Sequence, residues 1–330
     1  MNRPTVSRIL GTGSFVPSRV VPNDEFAQTL DTSDEWIRTR TGIRERRYAG
    51  PADTSATMGT LAAREALAAA GVRPEDVDLI VCGTVTPDMV CPSNACLIQA
   101  YLGCGTIPAF DVGAACSGFV YALSVADQYV RAGTARRVLV VGTEVLSRVS
   151  DFADRNTCIL FGDAAGAVVL GPSDDPARGV HQIRLYADGS RQELIQVPSM
   201  VTPNPPPGAG VLPNLRYLRM NGREVFKFAV TKLKEMIGQA REDCGAAGKR
   251  MKLIVPHQVN VRIIDAALED LAIPPEMVVV NLDKYGNTSS ASVPLALDEG
   301  IRTGRCGPGD TVLLVAFGGG LTWSSALVTL

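Results

Sequence analysis

Histidine is almost missing: 330 residues hold two, His181 and His257. No two cysteines stand in a CxxC spacing; the gaps among Cys82, Cys91, Cys96 and Cys104 are all longer. A zinc site built from closely spaced Cys and His is therefore not expected, and no metal is assigned. Long apolar runs are also lacking. The longest candidates, Val138–Gly142 and Thr311–Phe317, have the length of strands, well short of the ~18 residues that cross a bilayer. The start, Met1-Asn2-Arg3-Pro4-Thr5, has no apolar signal core, so export is not indicated. On that reading the eight cysteines are reduced thiols of a cytoplasmic protein. Neither sign of charge dominates, with 32 Lys+Arg against 34 Asp+Glu. That balance offers no footprint for nucleic acid.

What is present is a hydrophobic chain, 46% by residue, too apolar for disorder. At this length a chain buries roughly three quarters of its unfolded surface without staples or metals. Short apolar runs alternate with alanine-rich stretches: a helix over 58–70, a strand over 77–82, a helix over 94–102 and a strand over 109–112. A helix over 118–132 and a strand over 137–141 follow. This alternation argues for an α/β fold with a largely buried sheet.

The chain also carries a weak internal repeat. Asp78-Leu79-Ile80-Val81-Cys82-Gly83 resembles Lys252-Leu253-Ile254-Val255-Pro256-His257, and Phe110-Asp111-Val112-Gly113 is matched in position by Leu282-Asp283-Lys284-Tyr285. Each copy ends in a strand followed by glycine. Two similar α/β halves, 1–175 and 176–330, fit this pattern. Pro198–Pro213 interrupts it with six prolines; lacking so many amide donors it is neither helix nor central strand, but a lid or a plain surface insertion.

Cys116 lies in Gly113-Ala114-Ala115-Cys116-Ser117-Gly118, between a strand and a helix. There the helix dipole favours thiolate; a cysteine packed as a small apolar residue fits the same position. His257 closes an apolar strand, where open α/β sheets place ligands, while His181 begins a polar-alternating strand and reads as structural. Asn287, in Gly286-Asn287-Thr288-Ser289, falls within a residue of the repeat position of Cys116; it fits a turn or a helix cap equally well. Gly318-Gly319-Gly320 permits close backbone approach and free amide donors. Two glycine segments are decoys. Gly11-Thr12-Gly13 meets Val16 where a dinucleotide fingerprint needs glycine, and Gly162-Asp163-Ala164-Ala165-Gly166 lacks the Lys-Ser/Thr of a phosphate loop.

These segments, with Asp31–Ile43, Phe161-Gly162-Asp163, His257-Gln258-Val259-Asn260 and Ala316–Gly320, resemble β-ketoacyl-acyl carrier protein synthase III, the thiolase-fold enzyme that starts type II fatty acid synthesis. The likeness covers nearly the whole chain. It implies a duplicated five-layer α-β-α-β-α core, a homodimer, no membrane or nucleic-acid partner, and no cofactor, acyl-CoA being a substrate. It implies a triad of Cys116, His257 and Asn287, with the amides of Cys116 and Gly319 as oxyanion hole. An acyl-Cys intermediate would then condense with malonyl-acyl carrier protein. Elongating synthases of this fold use two histidines, so Asn287 points to the initiating class. The alternative is a relative of secondary metabolism with another acceptor.

For CoA the resemblance implies Trp36, Arg40, Arg155, Gly222, Phe226 and Asn260, although Arg223 replaces an amide residue. Trp36 and Arg40, four apart, share a face of a helix. Between Lys227 and Arg262 eight basic residues face three acids, a basic landing surface for an acidic carrier, with Lys227 and Arg262 as the docking residues. The resemblance implies that Cys91 takes the position from which family members reach the partner subunit's acyl pocket. Its small side chain implies medium or branched primers. Val259 stands where the family more often has Ala.

Overall fold

The computed structural model describes residues 6–197 and 217–330; the Pro198–Pro213 loop lies outside the described residues. In chain order the strands of the two main sheets are β1 (Val6–Phe15), β2 (Leu79–Gly83), β3 (Ala109–Val112), β4 (Val138–Val145), β5 (Asp163–Ser173), β6 (Gly179–Ala187), β7 (Met251–Pro256), β8 (Thr311–Gly318) and β9 (Thr322–Thr329). The principal helices are α1 (Asp34–Thr41), α2 (Ser55–Ala70), α3 (Asn94–Leu102), α4 (Gly118–Ala132), α5 (Gly222–Ala246), α6 (Val261–Leu271) and α7 (Ser292–Arg302). Local chemistry sets several bounds. Thr54 and Thr57 form a reciprocal capping box at the start of α2, and Gly71, Gly103 and Gly133 stop α2, α3 and α4 in the left-handed conformation.

The first sheet runs β1-β5-β4-β2-β3 and the second β6-β9-β8-β7. In both, two antiparallel pairings lead into parallel ones. Helices α4 and α7 lie between the sheets, sharing one apolar cluster with both; α2 and α3 cover the outer face of the first sheet and α5 and α6 that of the second. This is the five-layer duplicated architecture.

The two copies correspond at the turn that precedes their central helices. Ala115 and Ser289 both sit at positive φ, +47° and +48°, each opening a short 3-10 turn before α4 or α7. The counterpart of Cys116 is therefore Ser290. Asn287 corresponds instead to Gly113, which the sequence-derived register had matched to Tyr285, a correction of two residues. The cause is a compensated length change. In the first copy β2 pairs Ile80 with Ala109; in the second Ile254 pairs with Val278, a shorter crossover. Leu282–Tyr285, matched by sequence to a strand, is instead a helical turn that lengthens the next connection.

Polar contacts join the halves. Asp298 of α7 is buried. It accepts from Thr12 Oγ1 (2.7 Å) and Ser14 Oγ (2.7 Å) of β1 and from Arg302 Nε (2.9 Å). Asp298→Ala leaves the Thr12 and Ser14 hydroxyls without their acceptor, while Arg302 keeps Glu65. The substitution is expected to cost about 3 kcal/mol, read as a lowered midpoint in chemical denaturation.

Candidate active site

Every carboxyl-terminal strand end of the parallel segments delivers one element of the site. After β3 the chain passes Gly113 and Ala114 into the turn that holds Cys116, then enters α4 at Gly118. That turn is pressed against β8: a Cβ on Gly318 would lie 2.6 Å from the Cys116 amide nitrogen and 3.0 Å from its Cβ. Only glycine fits there. Gly83, at the end of β2, is pinned the same way, its absent Cβ falling 2.6 Å from the Gly118 carbonyl carbon.

His257 follows β7 and donates its amide to Val315 O at 2.7 Å. The ring is buried, edge-on to Phe317 with centroids 5.4 Å apart, and its Nδ1 is 2.7 Å from Ser292 Oγ. With Nδ1 accepting from the Ser292 hydroxyl, the ring's proton is carried on Nε2. Burial pulls the imidazole down to about 3, so it is neutral at physiological pH.

Asn287 is fixed by its backbone and by its side-chain oxygen. Its amide donates to Leu160 O (2.8 Å) and its carbonyl accepts from Gly162 N (2.9 Å). Oδ1 accepts from Ser289 N (2.8 Å), which leaves Nδ2 as the free donor. The close approach requires Gly162, whose Cβ would sit 2.1 Å from Tyr285 O. Asp163 anchors the same segment by accepting from Ala49 N (2.8 Å) and from Ser147 N (2.9 Å) and Oγ (2.6 Å). The segment that fails as a phosphate loop thus serves as a brace for Asn287.

Cys116, His257, Asn287 and Gly318-Gly319-Gly320 all line one cavity of about 350 Å³, whose other walls are largely apolar, among them Leu146, Phe161 and Val225. The dry surroundings reverse one sequence expectation. Burial pushes the Cys116 thiol up to about 12, and a helix start supplies at most about 2 kcal/mol toward the anion. Burial thus favours the thiol form of Cys116.

A second cleft of about 170 Å³ is lined by Trp36, Arg40, Gly222, Phe226 and Asn260. It shares Met220, Val225 and Val259 with the first, so the two are contiguous. The guanidinium carbons of Arg40 and Arg155 lie 4.4 and 5.1 Å from the Trp36 ring centroid. Asn260 caps α6 and donates from Nδ2 to Arg40 O at 3.1 Å. Lys227 is exposed and paired with Glu224 at 2.9 Å; Arg262 is exposed at the start of α6. Cys91 is exposed beside Met89 and Val90 and lies outside the cavity of its own chain. His181 contacts Thr329 Oγ1 at 2.8 Å, and it is not among the cavity residues. Sequence reasoning missed Ser289 and Ser292. No role was read for either serine beside Asn287, and the positive φ and the histidine contact reveal them.

Two family models match the chain. "3-Oxoacyl-[acyl-carrier-protein (ACP)] synthase III" matches residues 110–189, and the C-terminal domain of that name matches residues 242–330. A β-ketoacyl-[acyl-carrier-protein] synthase III of Methylococcus capsulatus is 51% identical over 98% of each chain. One from Xanthomonas campestris is 50% identical over 99% of each. Among solved structures, the synthase III of Aquifex aeolicus is 47% identical with a TM-score of 0.89 over 98% of this chain and 100% of that one. The priming β-ketosynthase of the R1128 polyketide pathway is 40% identical with a TM-score of 0.90, covering 100% and 98%.

Because His257 is already neutral far below pH 6.5, its protonation adds no acidic limb near that value. Decarboxylation of a malonyl thioester, followed from pH 5 to 8, is expected to show none. Stability behaves differently, because unfolding releases an imidazole that binds a proton. This group's contribution is full above the unfolded value of about 6.5 and declines as pH falls toward the folded value.

Proposed function

The chain belongs to the 3-oxoacyl-[acyl-carrier-protein] synthase III family, and from that premise we propose the roles of its residues in the reaction. The enzyme is an acyltransferase of the thiolase-like fold. It condenses an acyl-CoA primer with malonyl-acyl carrier protein, with loss of carbon dioxide, to initiate type II fatty acid synthesis. The observation that carries the assignment of residues is the convergence of Cys116, His257, Asn287 and the glycine run on one cavity contiguous with the Trp36 cleft.

Cys116 attacks the thioester carbonyl of acyl-CoA. A sulfur–carbon bond forms, the bond to the CoA sulfur breaks, and the departing thiolate takes the thiol proton. The backbone amides of Cys116 and Gly319 hold the tetrahedral oxyanion, donors of a kind that supply roughly 3–4 kcal/mol each. CoA leaves and malonyl-acyl carrier protein enters the same tunnel. When the carboxylate departs as carbon dioxide, its electron pair moves to the thioester as an enolate. His257 Nε2–H and Asn287 Nδ2–H donate to the enolate oxygen. The enolate carbon then attacks the acyl group and the Cys116 sulfur departs, regaining a proton. The Cys116 sulfur and the two substrates supply all the reacting groups, and no cofactor takes part.

Adenine of CoA stacks between Trp36 and Arg155, with Arg40 near the phosphates and Gly222, Phe226 and Asn260 along the pantetheine. Arg155 now reaches over the indole while bonded to the Asp31 backbone and carboxylate. It must swing outward to admit the base. Lys227 and Arg262 dock the carrier. Two chains of this sequence, each divided as 1–175 and 176–330, pair as a homodimer in the cytoplasm, and Cys91 reaches the partner's acyl pocket. Its small side chain leaves room for medium or branched primers.

Intact-protein mass spectrometry tests these roles. A panel of acetyl-, isobutyryl- and octanoyl-CoA should add one acyl group per chain, and Cys116→Ser should abolish the label. Asn287→Ala and His257→Ala should still be labelled, yet lose malonyl decarboxylation by about a hundredfold or more. Labelling by acetyl-CoA alone would overturn the roomy pocket. Reversing the charge of Lys227 and Arg262 should weaken carrier binding while Cys116 acylation by acyl-CoA persists. Equal loss of both would refute the docking role.

A further inference from the structure

Behind the cavity lies a carboxylate that no step above uses. Glu144, near the end of β4, is fully buried. Its hydrogen-bond partners are four hydroxyls and one backbone amide. Oε1 accepts from Ser289 Oγ (3.0 Å) and Val85 N (3.3 Å) and shares the Ser290 hydroxyl (2.9 Å) with Gly83 O (2.8 Å). Oε2 accepts from Thr86 Oγ1 (2.6 Å), Val85 N (3.2 Å) and Thr84 Oγ1 (3.4 Å).

Glu144 stands where the repeat places Gly318 in the other copy. Gly318 presses its backbone on Cys116; Glu144 extends its carboxylate to Ser290, the counterpart of Cys116. The two residues at positive φ differ in the same way. Ala115 is held by close backbone packing, whereas Ser289, at φ +48°, is tethered through its hydroxyl. An L side chain avoids that conformation unless its surroundings impose it. The Ser289 amide, aimed by this conformation, donates to Asn287 Oδ1.

We propose that Glu144 is a positioning residue for the Asn287 carboxamide, acting through Ser289. The inference rests on the donor role given to Asn287 above. The carboxylate holds Ser289 Oγ, the hydroxyl fixes the backbone at positive φ, and the amide occupies Oδ1. Nδ2 is thereby turned to the cavity as a donor. A glutamine at 144 presents one oxygen and an NH2 group to the same donors, so it cannot satisfy them all. Burial holds the Glu144 carboxyl above its usual range, and the donors around it resist that rise.

The test measures condensation and acylation separately in the full chain. Glu144→Gln should lower kcat for condensation about tenfold to a hundredfold, because a displaced donor is costly, with KM for malonyl-acyl carrier protein little changed. Cys116 acylation by acyl-CoA, which does not use Asn287, should still reach one acyl group per chain and so reports an intact fold, its rate being free to shift because Ser289 and Glu144 both act on the thiol. In an Asn287→Ala background Glu144→Gln should add no further loss, the signature of two residues acting as one unit. Ser289→Gly accepts the positive φ and keeps the amide but removes the tether. It should show a smaller loss of the same kind, and it decides the matter if Glu144→Gln does not fold. Unchanged condensation in both variants overturns the proposal. An equal further loss in the Asn287→Ala background also overturns it. Decarboxylation untouched by Asn287→Ala alone overturns the donor role as well, and so identifies which reading has failed.

Discussion

The site depends on backbone meeting backbone with no side chain between. Gly318 on Cys116, Gly83 on Gly118 and Gly142 on Ser290 are contacts at which a Cβ would fall 2.5–3.4 Å from another residue's atoms. Each lets a turn from one half touch a strand of the half it faces or of its own sheet, so the start of a helix reaches the cavity wall. Atoms this tightly packed have few alternative arrangements. The precision needed to hold a thiol beside amide donors follows from that packing, and not from charge.

Duplication supplied the frame twice, and the two copies then took different work. Both retain the residue at positive φ, the 3-10 turn and the helix start, while the preceding strand of the first copy is reduced to a bridge at Val278 in the second. In one copy the turn carries sulfur and faces glycine. In the other it carries a hydroxyl and faces Glu144. A second thiol at 290 would meet a buried carboxylate that opposes its ionisation; a serine satisfies that carboxylate instead. The second elbow has become the support of the first, and Asn287 stands on it.

Sequence reading reached the alternation of elements because buried strands and alanine-rich helices differ in period and composition. Helices 94–102 and 118–132 and strand 109–112 agree with the structure residue for residue. It reached Cys116 and His257 because strand ends are where ligands lie. The register of the second copy was misread, since a shortened crossover and a lengthened connection cancel in the sequence. Ser292 and Ser289 were illegible for a different reason. Serine is ordinary in loops, and what distinguishes these two is a ring nitrogen at 2.7 Å and a positive φ. Glu144 ended an apolar run, where an acid looks like the exposed end of a strand; the sheet buries it instead.

A dry cavity holding a neutral imidazole and a protonated thiol has a chemical logic. Ionised groups in such a place would bind the malonyl carboxylate in its ground state and hold it there. Neutral donors interact weakly with a resting thioester and strongly with an enolate oxygen, so their stabilisation falls mainly on the transition state. Arg40, Arg155, Lys227 and Arg262 stand outside that cavity, and on the roles proposed for them charge recruits at the entrance while hydrogen bonding acts within. The apolar walls between them keep the carboxylate poorly solvated, which favours its loss as a neutral molecule.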